Sequence, residues 1–304
     1  MIRQICLLVA LTISLAGCSA PPVDYRGDHG ASFAQPQRKP LNRPVIALAL
    51  GSGGPRGLAH VGVIKALEAN GIVPDFIVGT SSGALVGAIY ASGMPIKDME
   101  TMAMDLQPTE ILDFSYSKRG YIRGEKLQNF INGLVKNRRI EQLPKELIIV
   151  STDLKTGTAT LFNRGDTGLA VRASSAIPGR FQPVRIDGKD KLDGDLVSPV
   201  PMRIARELGA DVVIGVDVSA FIEDTPTEKN FPTDWIITGI MRKTLVQHEL
   251  AYADVLIHPN IGYYAGWSDG YKRRCFSTGE GTTLAMMAKI KAAIEAAQVR
   301  LSKR

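Results

Sequence analysis

Two copies of one strand–turn–helix unit constrain the fold more than any other feature of the sequence. Residues 45–50 form a continuous apolar run of strand length, followed by a glycine-rich turn and by helix-spaced apolar residues up to Leu67. Residues 76–78 begin the second unit, in which a short turn leads into a helix predicted over 84–92. Continuous apolar strands are typical of parallel sheets, whose strands are buried on both faces. The repeated unit therefore predicts an α/β fold with helices on the faces of a parallel sheet.

The alternation of strands and helices continues to about residue 220. Further strands are predicted at 147–152, 159–162, 184–186, 191–192 and 211–217. Further helices are predicted at 125–136, 169–175 and 201–208. After a charged, proline-containing stretch, the pattern indicates a helix at 235–250 and a strand at 255–257. We therefore expect a core domain over 45–220 and a helical extension over 221–304 that packs on the same domain.

The last helix has its own start signal. Ser277 and Glu280 have the spacing of a capping box, which predicts that the helix begins there. From Met287 to Leu301, apolar residues recur at steps of three and four and form one stripe. We expect this stripe to pack on the body and the basic residues of the helix to face water. The alternative is a helix that lies on a membrane surface.

The overall composition excludes some classes of partner. The chain has 304 residues, of which 45% are hydrophobic and 22% charged, as in an ordinary globular protein. Its net charge of +6 comes from basic residues scattered along the chain, without the concentrated basic stretch that is usual in nucleic-acid-binding proteins. We expect no nucleic-acid partner. A mildly basic surface is compatible with anionic phospholipid, and also with simple solubility.

The N-terminus carries a targeting signal. Arg3 precedes an apolar run over 5–16 that is too short to span a bilayer and has signal-peptide dimensions. The run ends in Leu-Ala-Gly-Cys18, which resembles the bacterial lipobox. The resemblance implies that residues 1–17 are removed and that the Cys18 thiol receives a diacylglycerol, a stable membrane anchor once acyl chains are added. Ser19 after the cysteine favours the outer membrane, so we expect a lipid-anchored, periplasm-facing envelope protein. An ordinary secretory signal is the alternative.

Residues 18–44 have the composition of a linker. They are rich in proline, glycine and charge and show no apolar periodicity, which predicts a flexible tether between membrane and domain. Cysteine usage agrees with export, because Cys6 leaves with the signal and Cys18 is acylated. Only Cys275 remains, so no disulfide can form within the mature chain.

Ser81 is the strongest candidate for a catalytic residue. It is the central serine of Gly79-Thr-Ser-Ser-Gly83, between a predicted strand and a predicted helix. This is the context of a nucleophile elbow, in which a sharp turn exposes the serine hydroxyl at the N-terminus of a helix. The helix dipole there favours a developing negative charge. The alternative is a plain turn rich in glycine and serine, and we interpret Ser82 only as a turn and capping residue.

A second glycine-rich loop, over 51–57, also follows a buried strand and opens a helix. Its backbone amides could cradle a phosphate or form an oxyanion hole. A dinucleotide site requires an acidic residue at the end of the second strand, yet Asp75 lies at the start of that strand and the Ser81 turn occupies its end. The nucleotide hypothesis therefore fails, and the amides of Gly53 and Gly54 are candidates to bind the oxyanion of a tetrahedral intermediate.

The base that would deprotonate Ser81 can be a histidine or a carboxylate. None of His29, His60, His248 and His258 lies in a recognisable catalytic motif, although a triad with His248 or His258 stays open. Asp193 is the better candidate, because it ends a predicted strand and precedes Gly194, which allows close approach. A carboxylate is an ordinarily weak base, so such a site should be dry and have apolar walls.

Four ordered motifs together resemble the bacterial patatin-like phospholipases, over 45 to about 220. They are the stretch 50–63 with its glycine-rich loop, the Ser81 turn, Arg-Ala-Ser-Ser-Ala-Ile-Pro over 172–178, and Asp193-Gly194 followed by two prolines. The resemblance implies a three-layer α/β sandwich with a mainly parallel central sheet. It also implies a Ser81–Asp193 dyad with a covalent acyl-serine intermediate, an oxyanion site at Gly53, Gly54 and Arg56, no metal or organic cofactor, and a phospholipid or lysophospholipid substrate.

The sequence departs from the family pattern at two positions. Ser52 interrupts the usual run of glycines, and Asp195 stands where the motif has glycine or alanine. Asp195 puts a second carboxylate near Asp193, and repulsion between them would raise one pKa. The departures support one alternative function, a catalytically weak domain that binds lipid or a partner protein. An aromatic segment with Tyr263, Tyr264, Trp267 and Tyr271 either contacts an acyl chain or headgroup or forms a structured loop.

Overall fold

The computed structural model describes residues 22–38 and 41–303. The predicted signal segment 1–17 and Cys18 lie outside the described residues. In the described part of the chain, no helix is both long and apolar enough to cross a membrane.

A central sheet of nine strands forms the middle layer. The strands of the described chain are β1 (Asp24–Tyr25), β2 (Ala31–Ser32), β3 (Ile46–Leu50), β4 (Phe76–Thr80), β5 (Glu146–Asp153), β6 (Ala159–Phe162), β7 (Arg164–Gly165), β8 (Val184–Ile186), β9 (Lys189–Asp193), β10 (Val212–Val216) and β11 (Val255–Ile257). Their order in the sheet is β1-β8-β9-β5-β4-β3-β10-β11, with β6 also paired to β5. The run from β5 to β11 is parallel, and β9 and β6 are antiparallel to β5.

Helices cover both faces of this sheet. They are α1 (Ala59–Ala69), α2 (Ser82–Ala91), α3 (Ile96–Asp105), α4 (Pro108–Ile111), α5 (Glu125–Leu134), α6 (Thr167–Ser174), α7 (Met202–Glu207), α8 (Thr233–Glu249), α9 (Asp269–Ala285) and α10 (Met287–Ser302). Successive side chains of β3 point to opposite faces of the sheet and pack in two different hydrophobic clusters. Leu48 and Leu50 pack with α1 and α2, whereas Ala47 and Ala49 pack with α7. The predicted three-layer α/β fold with a mainly parallel sheet is confirmed.

The register of the parallel strands aligns their carboxyl ends. Leu50 lies opposite both Gly79 and Val216, so β3, β4 and β10 end at one level. Asp193, at the end of antiparallel β9, lies opposite Ser151 of β5 and so reaches the same edge. The loops that follow β3, β4, β9 and β10 therefore meet, as expected for an open α/β sheet.

The prediction of one last helix that begins at Ser277 is wrong, because the chain forms two helices there and the last of them, α10, begins at Met287. Ser277 lies inside α9, where its hydroxyl donates to the carbonyl of Arg274. The N-cap of α9 is Ser268, whose side chain accepts a hydrogen bond from the amide of Tyr271. A serine can bond to its own helix as readily as cap one, so the spacing of Ser277 and Glu280 did not distinguish the two. Helices α3 and α4 have no counterpart in the sequence-based prediction.

Part of the predicted linker 18–44 lies against the domain. In the described range 22–38, β1 pairs in parallel with β8, and β2 pairs antiparallel with β7. The side chain of Asn163 also bonds to both the amide and the carbonyl of Ala34, at 2.9 and 2.7 Å. Two-residue strands held by backbone bonds leave no apolar periodicity, so the sequence pattern could not indicate them.

Candidate active site

Ser81 occupies a strained turn between β4 and α2. Its backbone has φ +55° and ψ −119°, a conformation that non-glycine residues rarely adopt. Such strain persists only where the surroundings enforce it, and it is concentrated at functional sites. Ser81 is the N-cap of α2 but makes no side-chain cap bond, so its hydroxyl is available for another partner. This is the geometry of a nucleophile elbow.

Close packing explains the glycines of this turn. A Cβ on Gly79 would lie 2.7 Å from Cα of Ala84, and one on Gly83 would lie 2.1 Å from the carbonyl oxygen of Leu50. Both distances are shorter than any real Cβ contact, so larger residues would push α2 away from β3 and β4. The two glycines thus bring the start of the helix against the strands and force the turn at Ser81.

The partner of the Ser81 hydroxyl is Asp193. Ser81 Oγ donates to Asp193 Oδ2 at 2.8 Å, and the two side chains belong to residues that are 5% and 3% exposed. The other carboxylate oxygen, Oδ1, accepts from the amide of Asp195 at 2.8 Å. Gly194 is required between them, because a Cβ there would lie 2.4 Å from the carbonyl oxygen of Val150. The structure thus brings the two predicted catalytic residues into direct contact.

The environment of Asp193 changes its basicity. The pKa of Asp193 is raised to about 7, chiefly by burial and next by the nearby charge of Asp195. The hydrogen bonds from the Asp195 amide and from Ser81, and the charge of Arg242, act to lower it. A carboxylate with a pKa near neutrality is a far better proton acceptor for an alcohol than one with the ordinary value. Repulsion from Asp195 is thus real but secondary to burial.

Ser174 supports the elbow from α6. Its hydroxyl accepts a hydrogen bond from the amide of Ser81 at 2.8 Å and donates to the carbonyl of Val150 at 2.5 Å. The amide of Ser81 is therefore satisfied and is not a free oxyanion donor. Sequence reasoning used the motif around Ser174 only as part of a resemblance and assigned the residue no role.

The loop after β3 presents free amides. The amides of Gly51 and Ser52 donate to the carbonyls of Val216 and Pro199, both at 2.9 Å, which fixes the start of the loop. The amides of Gly53 and Gly54 donate to no acceptor in the described chain. Gly54 has φ +55°, a left-handed conformation that suits glycine. Two unpaired amides beside the Ser81 turn are what an oxyanion hole requires.

Two basic side chains lie behind this loop. His60 is fully buried and its Nε2–H donates to the carbonyl of Gly51 at 2.8 Å, while burial lowers the pKa of its imidazole to about 4. It is therefore neutral near pH 7 and holds the loop in place. Arg56 donates through Nη1 to the carbonyl of Tyr263 at 2.7 Å, and its buried Nε has no partner among the described residues. Burial lowers the pKa of the Arg56 guanidinium, with Tyr271 and Arg242 nearby.

The predicted aromatic segment lies next to Arg56, which donates to the carbonyl of Tyr263. Tyr263 packs edge-on against Tyr264 and Phe231, with ring centroids 5.5 Å apart in each pair. Phe231 in turn contacts Trp235 of α8, over which the guanidinium of Arg180 lies at 4.7 Å. The segment is thus a structured loop up to Ser268, and Tyr271 belongs to α9.

Ser52 and Asp195 contact each other and share one further partner, Arg242 of α8. The Ser52 hydroxyl donates to Asp195 Oδ1, and Arg242 Nη1 contacts both of these atoms. Arg242 Nη2 donates to the carbonyl of Ser52 at 3.2 Å and to Asp217 Oδ1 at 2.9 Å. Sequence reasoning missed Arg242 because nothing in its own neighbourhood of the chain marks it.

None of the four histidines, all of which lie in described residues, bonds to Ser81. His29 lies in a short 3-10 turn and His248 on α8, both away from the Ser81–Asp193 pair. His258 bonds through Nε2 to the carbonyl of Ser219 at 3.0 Å and stacks on Phe221. Its Nδ1 lies 4.0 Å from Asp217. Within the described residues, no group of three or more His, Cys, Asp or Glu is arranged to hold a metal ion.

A family model described as patatin-like phospholipase matches residues 48–206 of the chain. An uncharacterised NTE family protein of Mycobacterium tuberculosis is 37% identical over 220 residues, which is 70% of this chain and 60% of that protein. The human patatin-like phospholipase domain-containing protein 6 is 32% identical over 205 residues, 64% of this chain and 15% of that one. The chain thus spans well under the full length of the curated relatives that it matches.

Two further similarities concern a named enzyme and a solved structure. Lysophospholipase NTE1 of Coccidioides immitis is 34% identical over 187 residues, 60% of this chain and 12% of that protein. The crystal structure of VipD from Legionella pneumophila superposes with a TM-score of 0.61 at 14% identity, covering 92% of this chain and 73% of VipD. At that identity the structural likeness concerns the fold alone.

Proposed function

Because the chain belongs to the patatin-like phospholipase family, we propose that it hydrolyses acyl ester bonds of lipids with Ser81 as the nucleophile. The observation that carries the proposal is the 2.8 Å hydrogen bond from Ser81 Oγ to Asp193 Oδ2, in a buried and strained turn. A serine whose hydroxyl bonds directly to a carboxylate of raised pKa is equipped for proton transfer without a histidine.

The reaction follows from this geometry in two halves. Asp193 takes the proton of Ser81 as Oγ attacks the ester carbonyl, and the amides of Gly53 and Gly54 bind the oxyanion that forms. The tetrahedral intermediate collapses to an acyl-Ser81 ester, and Asp193 gives its proton to the departing alcohol. Water then attacks the acyl-enzyme with Asp193 again as base, which releases the fatty acid and restores the Ser81 hydroxyl. Each oxyanion donor contributes about 3–4 kcal/mol in other serine hydrolases.

The proposed substrate is a phospholipid or lysophospholipid. The name of one relative, lysophospholipase NTE1, supports the second of these. We further propose that Cys18 carries a lipid anchor, so that the domain faces the periplasm from the outer membrane and meets its substrate there. The lipobox-like end of the signal segment supports this placement.

The alternative function, a weak domain that only binds lipid or protein, rested on Ser52 and Asp195. Neither departure from the family pattern blocks the site. With Ser52 in the loop, the backbone amides of Gly53 and Gly54 still donate to no acceptor among the described residues. The carboxylate of Asp195 is paired with Arg242 rather than directed at Ser81. These contacts favour the enzyme over the binding domain.

The test is labelling and turnover by purified protein. The wild type should react with a fluorophosphonate and release fatty acid from mixed phospholipid and lysophospholipid vesicles, with products identified by mass spectrometry. Ser81→Ala and Asp193→Asn should lose both activities. Ser82→Ala is the matched control, because the Ser82 hydroxyl is adjacent in sequence yet has no hydrogen-bond partner in the described chain. A folded wild type that neither labels nor releases fatty acid would support the binding-only alternative instead.

A further inference from the structure

Arg242 is a buried cation outside the region that the family model matches. It lies on α8, its side chain is 12% exposed, and its guanidinium contacts three other segments. These segments are the loop after β3 through Ser52, the turn after β9 through Asp195, and the end of β10 through Asp217. One side chain of the C-terminal extension thus ties together the loops that form the candidate active site.

We propose that Arg242 is a positioning residue of this active site, which fixes the oxyanion loop through Ser52 and offsets the charge of Asp195 beside the catalytic base. The proposal rests on the proposed function, because it assigns Arg242 a role in the Ser81–Asp193 reaction. Arg242 acts in two separable ways, through the geometry of the loop and through the charge near Asp193.

The geometric claim follows from the contacts of Ser52. Its amide bonds to Pro199, its carbonyl accepts from Arg242 Nη2 at 3.2 Å, and its hydroxyl lies between Arg242 and Asp195. Every polar group of Ser52 therefore has a partner. Because Gly53 and Gly54 come next in the chain, a fixed Ser52 also restricts the position of their free amides. A planar guanidinium with several donors suits this task better than a lysine would. Displacing an oxyanion donor by about 1 Å can cost about 100-fold in rate.

The electrostatic claim concerns the groups that face Asp193. Asp195 on the same turn raises the pKa of Asp193, and Arg242 from α8 lowers it. Behind Arg242 lies Asp217. Burial acts to raise the pKa of Asp217, but the charges of Arg242 and His258 outweigh it and lower that pKa to about 2. His60, which is neutral near pH 7, and the cation Arg56 also lie near Arg242. Arg242 is thus a cation that opposes the effect of the Asp195 carboxylate on the base.

The contacts also account for both departures from the family pattern. The residues that replace a glycine at 52 and a glycine or alanine at 195 are the two that bond to Arg242 Nη1. A glycine at either position would remove one of its partners. The three side chains therefore form a unit, in which the serine and the aspartate provide the polar contacts of Nη1 while Asp217 accepts from Nη2 of the buried arginine.

The test compares the pH dependence of kcat/KM in four variants and one control variant, using the ester that the wild type hydrolyses. The acidic limb of each profile is the range in which kcat/KM falls as Asp193 becomes protonated. Arg242→Met should move this limb to higher pH by about one unit, because the negative charge near Asp193 loses its counterion and the pKa of Asp193 rises. Asp195→Asn should move the same limb down, and the Arg242→Met/Asp195→Asn double variant should lie between the two. Arg242→Lys should keep the acidic limb near its wild-type position while kcat falls about tenfold. Lysine retains the positive charge but lacks the planar group of several donors that contacts Ser52, Asp195 and Asp217 together. Lys243→Met is the control, since Lys243 pairs with Glu223 at the surface, and its limb should not move.

Hydrogen exchange of the peptide that contains residues 51–57 gives a readout without turnover. Exchange there should be faster in Arg242→Met and Arg242→Lys than in the wild type and in Lys243→Met. The proposal fails if the limbs of Arg242→Met and Asp195→Asn coincide with the wild type or shift in the same direction, or if loop exchange does not change. If Arg242→Met does not fold, two measurements still test the proposal. They are the shift of the acidic limb to lower pH in Asp195→Asn and the faster hydrogen exchange of residues 51–57 in Arg242→Lys. A wild type without esterase activity or fluorophosphonate labelling would instead refute the proposed function. The exchange measurement would still show whether Arg242 fixes the loop, because it does not depend on turnover.

Discussion

The hydroxyl of Ser52 donates a hydrogen bond to the carboxylate of Asp195, although the two residues are 143 positions apart in the sequence. Each of them departs from the family pattern, and each taken alone suggests a weakened active site. Together they form a polar pair around the buried guanidinium of Arg242. Since each residue satisfies the other, their effects on stability should depend on one another.

A double-mutant cycle measures this dependence. Ser52→Gly and Asp195→Gly each restore a family residue but remove the hydrogen bond between the two side chains and one contact of Arg242, so each single change should lower the free energy of unfolding. The double variant should lose less than the sum of the two, with a coupling of about 1 kcal/mol or more, as found for residues that share a hydrogen-bond network. Urea denaturation at pH 8 gives the four values. Strict additivity would show that the contact contributes nothing.

The pH dependence of the wild-type reaction should reflect the raised pKa of Asp193. The base must be ionised to accept the proton of Ser81, and its pKa is about 7. We therefore expect kcat/KM to be level above about pH 8 and to fall tenfold per pH unit well below pH 7. The measurement is a pH profile with an ester whose leaving group does not titrate between pH 4 and pH 9. An acidic limb near pH 4 would mean that Asp193 has an ordinary pKa and that burial does not tune it.

The same pKa predicts a gain in stability from an inactivating substitution. In the folded state the pKa of Asp193 is about 7, above its unfolded value of 3.8, so its contribution to stability is fully present below pH 4 and is lost as pH rises toward 7. Asp193→Asn removes this loss and should raise the free energy of unfolding at pH 8 by an amount on the order of a few kcal/mol. Thermal melts of both proteins at pH 5 and pH 8 test this. The difference between them should be smaller at pH 5, and a variant less stable at pH 8 would contradict the prediction.

The parts of the site that follow a chemical motif were predictable from the sequence, and the parts made by long-range packing were not. Ser81, Gly53 and Gly54 lie in turns whose glycines are required by local geometry, so their position after an apolar strand identified them. Asp193 was identifiable because a strand end followed by glycine allows close approach. A Cβ added at Gly83 or Gly194 would lie 2.1 or 2.4 Å from a backbone carbonyl oxygen, which is the physical reason for glycine in each motif.

Arg242 and Ser174 show why the remainder could not be predicted. An arginine in the middle of an amphipathic helix has the same local pattern whether it faces water or a buried aspartate. Its role depends on Asp217 and Asp195 in other segments, which only the folded chain brings near. Ser174 likewise acts through the amide of Ser81, on a different element. The error at Ser277 has a related cause, since a capping spacing and a mid-helix serine are the same pattern until the helix start is known.

Ser174→Ala should impair turnover more than binding. It leaves the buried amide of Ser81 without its acceptor, a loss that costs about 1–3 kcal/mol, and it frees the turn that presents the nucleophile. We expect kcat to fall about 10- to 100-fold with little change in KM, because the contact orients Oγ and does not touch substrate. Ser175→Ala is the control, since its hydroxyl makes no hydrogen bond to another described residue. Steady-state kinetics on both variants would contradict the assignment if they lost activity equally.

The packing of α9 on α1 should be sensitive to single methyl groups at two glycines. A Cβ on Gly62 would lie 2.1 Å from the carbonyl oxygen of Phe276, and one on Gly279 would lie 2.2 Å from that of Ala59. Gly62→Ala or Gly279→Ala should therefore force the helices apart and destabilise the protein by about 1–3 kcal/mol. Gly281→Ala is a matched control on α9, the helix of Gly279, because no atom of the described residues lies within 4 Å of its Cβ position. There the usual helix preference for alanine should raise stability by about 0.5–1 kcal/mol. Thermal melts of the three variants test this. Melting temperatures that all shifted in the same direction would contradict the prediction, because only Gly62 and Gly279 lie at the contact between the two helices.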